Sequence, residues 1–76
     1  MNYTELPTLD EFVEIDTLQP GVSATFPTID SLRWFVRRNR SALVESGALI
    51  IVTGRMRFHP ARFKAAAVEI GQRAAA

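Results

Sequence analysis

The chain of 76 residues contains no cysteine and a single histidine, His59. Disulfides and thiolate metal sites are therefore excluded, and zinc is left without its usual set of nitrogen and sulfur ligands. The longest apolar run is Ala48–Val52, far short of the roughly 20 residues needed to span a bilayer. The acidic start also lacks the basic opening and apolar centre of a signal peptide. These absences predict a cytoplasmic protein with no membrane partner. No nucleophile–base pair, phosphate-cradling glycine loop or close carboxylate pair stands out, so neither an enzyme nor a bound cofactor or metal is expected. Residues 1–76 are read as one small domain, near the lower size limit for folding without a staple.

Basic residues are missing from the first part of the chain altogether. Residues 1–32 carry six acids (Glu5, Asp10, Glu11, Glu14, Asp16 and Asp30) and no base. Residues 33–76 carry nine bases against Glu45 and Glu69, a balance of nine minus two, or +7, hidden inside a net charge of +1. Seven of the nine bases fall between Arg33 and Arg62. Such asymmetry predicts a polyanion partner for the basic part. The plainer alternative is that the acidic part packs against the basic part of the same molecule.

Residues 1–7 show no period and are read as an arm. Thr8 and Glu11 have capping-box spacing, and Leu9, Phe12 and Val13 form an apolar stripe, which predicts a short helix over 9–16. Gln19-Pro20-Gly21 is a turn signal inside a loop over 17–27, with Phe26 anchored in the core. Thr28 then caps the main helix, with Asp30 in its first turn. Ile29, Leu32, Phe35, Val36 and Leu43 fall on one side of it. Arg33, Arg37 and Arg40 fall together on another, with Trp34, Arg38 and Ser41 beside them. Asn39 projects onto the apolar side, where an unpaired amide is costly, so a break near 39–41 and a restart as SALVES are expected, ended by Gly47.

Leu49-Ile50-Ile51-Val52 suits a strand, and Thr53-Gly54 a turn. On the return strand Met56 and Phe58 share one face, and Arg55, Arg57 and His59 the other. Pro60 opens a last helix with Phe63, Ala67 and Ile70 on its apolar side and His59 near its cap, and the tail beyond Arg73 is expected to fray. Phe35, Phe58, Phe63 and Ile70 are the expected core. The order of elements predicts an α+β fold, a small winged helix-turn-helix domain with one β-hairpin wing.

The stretch SLRWFVRRNR followed by GALIIVTGRMRFHPARF resembles the AlpA/excisionase-like winged-helix proteins of phages and integrative elements, relatives of the MerR DNA-binding domain. The matching features are Ser31-Leu32-Arg33-Trp34 at a helix start, a glycine before an aliphatic strand, and the wing Gly54-Arg55-x-Arg57-Phe58. A helix opening at Pro60-Ala61-Arg62-Phe63 completes them, and the likeness covers about residues 28–73. It implies a sequence-specific, non-enzymatic protein of double-stranded DNA, with the helix in the major groove and the wing on the backbone or minor groove. Members act as transcription regulators or as recombination directionality factors, the latter serving an integrase and bending DNA as tandem copies. The small footprint of one module and the unlike acidic and basic surfaces predict self-association along DNA, to which the likeness also points, and the cytoplasmic expectation includes the nucleoid in a bacterium.

Candidate DNA-contacting residues are Thr28, Ser31, Arg33, Trp34, Arg37, Arg38 and Arg40 on the helix, and Arg55 and Arg57 on the wing. Arginine suits guanine edges and phosphates alike, and turn-proximal arginines suit a narrow minor groove. Thr28 is expected to act mainly as a cap, and Trp34 mainly in packing. Two other readings stand beside this one. The chain can be a protein-interaction module, such as a phage-encoded inhibitor, whose acidic half meets the partner and whose arginines only solubilise it. It can also be a nonspecific nucleic-acid or RNA binder, a reading weakened by the scarcity of aromatics for base stacking.

Overall fold

The computed structural model describes residues 6–76, so most of the expected N-terminal arm, residues 1–5, lies outside the described residues. Thr8 and Glu11 form the expected capping box, and the Glu11 carboxylate accepts from the Thr8 backbone N–H at 2.6 Å. What they cap is shorter than a helix over 9–16. A single 3₁₀ turn, Leu9–Glu11, ends at once, and Leu9 stays exposed instead of joining a stripe. Beyond it Val13 runs alongside the hairpin as one extra rung. Its N–H donates to the Phe58 carbonyl at 2.8 Å, and the Phe58 N–H donates back at 2.7 Å.

Helix α1 (Ile15–Gly21) therefore starts where the expected one was to end, and it runs through the Gln19-Pro20-Gly21 turn signal. Proline here removes the amide that would bond the Asp16 carbonyl, but Asp16 is exposed and water can take that place. The turn falls instead at 22–25, closed by Thr25 and Phe26 amides on the Val22 carbonyl and by Gln19 Nε2 on the Phe26 carbonyl at 2.8 Å. Phe26 is anchored as expected, 4.9 Å from Phe35.

Helix α2 (Ile29–Arg38) and helix α3 (Arg40–Glu45) are separated at Asn39, which leaves helical geometry at ψ 22°. The Asn39 side-chain amide donates to the Phe35 carbonyl at 2.9 Å, so its half-buried position carries no unpaired donor. Gly47 closes α3 with a left-handed φ of +77°. The Gly47 amide bonds the Val44 carbonyl and the Ala48 amide bonds Leu43, the paired bonds of a Schellman cap. Leu43 is fully buried, whereas Val44 beside it is half exposed.

Strands β1 (Leu49–Val52) and β2 (Arg55–Phe58) pair antiparallel with Leu49 opposite Phe58 and Val52 opposite Arg55. The two-residue turn between them places both Thr53 and Gly54 at positive φ, 51° and 77°. Glycine adopts that conformation freely; the β-branched threonine does so under strain. Helix α4 (Pro60–Ala75) is capped by His59, whose Nδ1 accepts from the Arg62 N–H at 3.1 Å. It continues to Ala75 where fraying from Arg73 was expected, and Arg73 reaches back to Glu69 one turn earlier.

Leu18, Leu32, Val36, Leu43, Leu49, Phe58 and Phe63 form the centre of the core, with Phe35 and Ile70 packed partly buried against it. Phe63 is the hub of the aromatic packing, edge-on to Phe58 at 6.0 Å and to Phe35 at 5.9 Å. Such pairs add about 0.5–1.5 kcal/mol each beyond area burial.

Phe58→Ala is expected to cost about 3–5 kcal/mol, against a total of roughly 4–11 kcal/mol for a domain this size. Urea denaturation checks this, with exposed Ile51→Ala as a control expected to change little. A second expectation concerns pH. The Thr8 backbone N–H, helped by His59 3.5 Å away, holds the Glu11 carboxyl below its ordinary 4.5. A lowered folded-state pKa adds stability above the ordinary value and loses it as pH falls through the folded one. Glu11→Ala should therefore melt earlier than the parent at pH 7, and the gap should close as pH falls below about 4.5.

Candidate nucleic-acid interface

Helix α2 presents three bands because successive residues turn by about 100°. Leu32 and Val36 are buried against the core. Arg33 and Arg37, one turn apart, lie on one flank, while Trp34 occupies the outward crest between them and Arg38. A groove of about 430 Å³ runs between α2 and the hairpin. Arg33, Arg37 and Arg40 line it from the helices, and Arg55 from β2. Ile15, Val36, Met56 and Phe58 supply its apolar surface, and Glu14 and Asp16 bring acid to its edge.

The nine expected contact residues fall into separate roles. Arg33, Arg37 and Arg40 make no ion pair among the described residues and remain exposed. Thr28 and Ser31 are tied to each other in the helix cap. Thr28 Oγ1 accepts from the Ser31 N–H at 3.1 Å, and the Ser31 hydroxyl donates to the Thr28 carbonyl at 2.7 Å. Arg38 stacks on the Trp34 ring, its guanidinium carbon 4.9 Å from the centroid. Trp34 itself is 57 % exposed, which corrects the expectation that it serves mainly in packing.

The wing arginines have partners inside the molecule. Arg55 Nη1 lies 3.3 Å and Arg57 Nη2 3.6 Å from the same oxygen of Glu14. The extended Phe12–Val13–Glu14 segment explains this, since pairing Val13 with Phe58 turns Glu14 toward the strand face that carries Arg57. Here the intramolecular reading of the charge asymmetry holds, and Glu11 beside His59 repeats it. Arg62 lies across Gly47, where an added Cβ would meet its Nη1 at 2.5 Å; it does not line the groove. Sequence reasoning missed Glu14 and the groove-lining Met56. The one signal for Glu14 was its place between Val13 and Ile15 in an alternating apolar–acidic–apolar triplet.

The chain matches no family model, no curated protein and no solved structure. Among the described residues no group of three or more potential metal ligands occurs, and no helix is long and apolar enough to cross a membrane.

The Glu14 contacts are exposed, with the Arg55 side chain 72 % accessible, and exposed ion pairs contribute about 0–1 kcal/mol. Glu14→Gln is expected to lower stability by no more than about 1 kcal/mol at low salt. The difference from the parent should vanish in 1 M salt, where screening acts within about 3 Å. Denaturant melts at the two salt concentrations check both parts.

Proposed function

We propose that this chain binds duplex DNA, with α2 entering the major groove and the hairpin lying on the adjacent backbone. The observation that carries the reading is the line of arginines Arg33, Arg37 and Arg40, without an ion pair among the described residues, along a groove whose opposite wall is the hairpin. An α-helix fits the major groove, and arginine can grip the O6 and N7 of guanine in two hydrogen bonds. The groove between helix and wing is where one sugar-phosphate strand would run. In this reading the protein is a DNA-binding accessory factor of a mobile element in the nucleoid. It acts as an excisionase-type directionality factor beside an integrase, or as a small transcription regulator.

A single module of this kind buries only about 600–1,000 Å² on DNA, so several copies binding side by side suit selective action. Exposed Asp10 and Asp30 and the basic remainder are unlike surfaces, and head-to-tail contact between them propagates as an open array. The interaction-module reading has less support. Two of the acids it would offer a partner, Glu11 and Glu14, already face His59, Arg55 and Arg57 of the same chain.

Neutralising about five to seven phosphates gives a log–log salt slope of roughly −4.5 to −6 for duplex binding. Anisotropy titrations over a salt series check this, and no duplex binding even at low salt would sink the proposal. Arg33→Ala and Arg37→Ala are expected to lose about 1–3 kcal/mol preferentially on the favoured site. Arg57→Ala should weaken favoured and random duplexes equally, as a backbone contact does. Equal losses on both duplexes for all three variants would remove α2 as the reader.

A further inference from the structure

The most exposed band of α2 is aromatic. Trp34 lies about 200° around the helix from both Leu32 and Val36, its neighbours two positions away and fully buried. It takes no part in the core, pairs with no other aromatic ring among the described residues, and carries the Arg38 guanidinium over its ring. The guanidinium lies over the ring, while 57 % of the residue stays open to solvent. Arg33 and Arg37 flank it on the other side, and with Arg38 they place three cations within one turn of the indole.

This combination selects its ligand narrowly. The cations suit a polyanion, and the indole needs an apolar feature on that polyanion within reach of a helix crest. In the major groove of a duplex, the feature of this kind is the 5-methyl group of thymine. We propose that Trp34 is a base-reading residue that seats its indole against a thymine methyl, while Arg33 and Arg37 hold guanine edges or phosphates beside it. The inference rests on the duplex-binding reading above but does not follow from it, since a duplex binder could use an exposed tryptophan on a sugar or on a second copy.

The test starts from duplexes selected by the 76-residue chain out of a random pool. Each thymine of a selected site is replaced in turn by deoxyuridine, which removes the methyl group and leaves the hydrogen-bonding edge unchanged. The parent protein should lose about fourfold in affinity at one or two positions, the factor for one buried methyl-sized group. Trp34→Ala should remain folded, bind the thymine and uracil duplexes equally, and keep the parent's salt slope, since no phosphate contact is lost. Trp34→Leu, which retains an apolar tip, should keep part of the preference and serves if the alanine variant melts early.

Indifference of the parent to every replacement, with duplex binding intact, would overturn the role of Trp34 and leave the duplex reading standing. Methyl dependence that persists in both variants would assign the methyl to another residue, with the same consequence. A fall in the DNA-free oligomeric mass of Trp34→Ala would mark the indole as a protein contact and overturn the proposal. No duplex binding by the parent would overturn both readings together.

Discussion

The backbone of Phe58 is bonded in both directions to Val13, and the rest of the structure depends on that pair of bonds. Two four-residue strands form a ribbon too small to be stable alone. The rung at Val13 gives β2 a partner on its second side and fixes the base of the hairpin. The Phe58 ring is then fully buried, edge-on to Phe63, so one residue joins the N-terminal segment, the hairpin and the last helix. Because Val13 is pinned, Phe12 is buried at the ring of His59 and Glu14 is delivered to Arg55 and Arg57. The position of the acid beside the wing is thus a consequence of main-chain pairing.

Two interruptions aim the basic surface. Asn39 stops α2 and Gly47 stops α3, and each break satisfies its own polar groups, by a side-chain amide in one case and a Schellman cap in the other. Continuous helical rotation alone would bring Arg40 round beside Arg33 and Arg37; the break keeps it there, since α3 starts at Arg40 itself and Arg40 lines the same groove. The left-handed φ at Gly47, crossed by Arg62, then turns the chain into β1 within two residues. Hairpin and helix stand on either side of the groove for this reason.

The arginines differ in what surrounds them, and that difference bears on function more than their number does. Those of α2 and the start of α3 are unpaired among the described residues and meet solvent. Those of the wing share one exposed carboxylate, a weak contact that a phosphate oxygen can displace. Arg38 is spent on Trp34. A basic surface divided in this way gives the helix the stronger claim to direct contact with a polyanion, and the wing a secondary one.

Much of the fold was legible in the sequence because local chemistry decided it. The Thr28 cap, the stripe of Leu32 and Val36, the Asn39 break, the Gly47 stop, the two-residue turn and Pro60 at a helix start each follow from preferences acting over four or five residues. The bands of α2 were legible for the same reason, so the residues of the proposed site could be named in advance. In residues 8–27 the Thr8–Glu11 capping box and the anchoring of Phe26 were legible, but the placing of the short elements was not, because it depends on a partner far along the chain. Val13 pairs with Phe58, 45 positions away, and that pairing outweighs the helical stripe of Leu9, Phe12 and Val13. Proline at 20 was read as a break, but a helix end on the surface tolerates the loss of one amide. The exposure of Trp34 and the grip of Glu14 on two arginines were likewise decided only in three dimensions. Periodicity tells which side of a helix an amino acid occupies, and only packing tells what, if anything, covers that side.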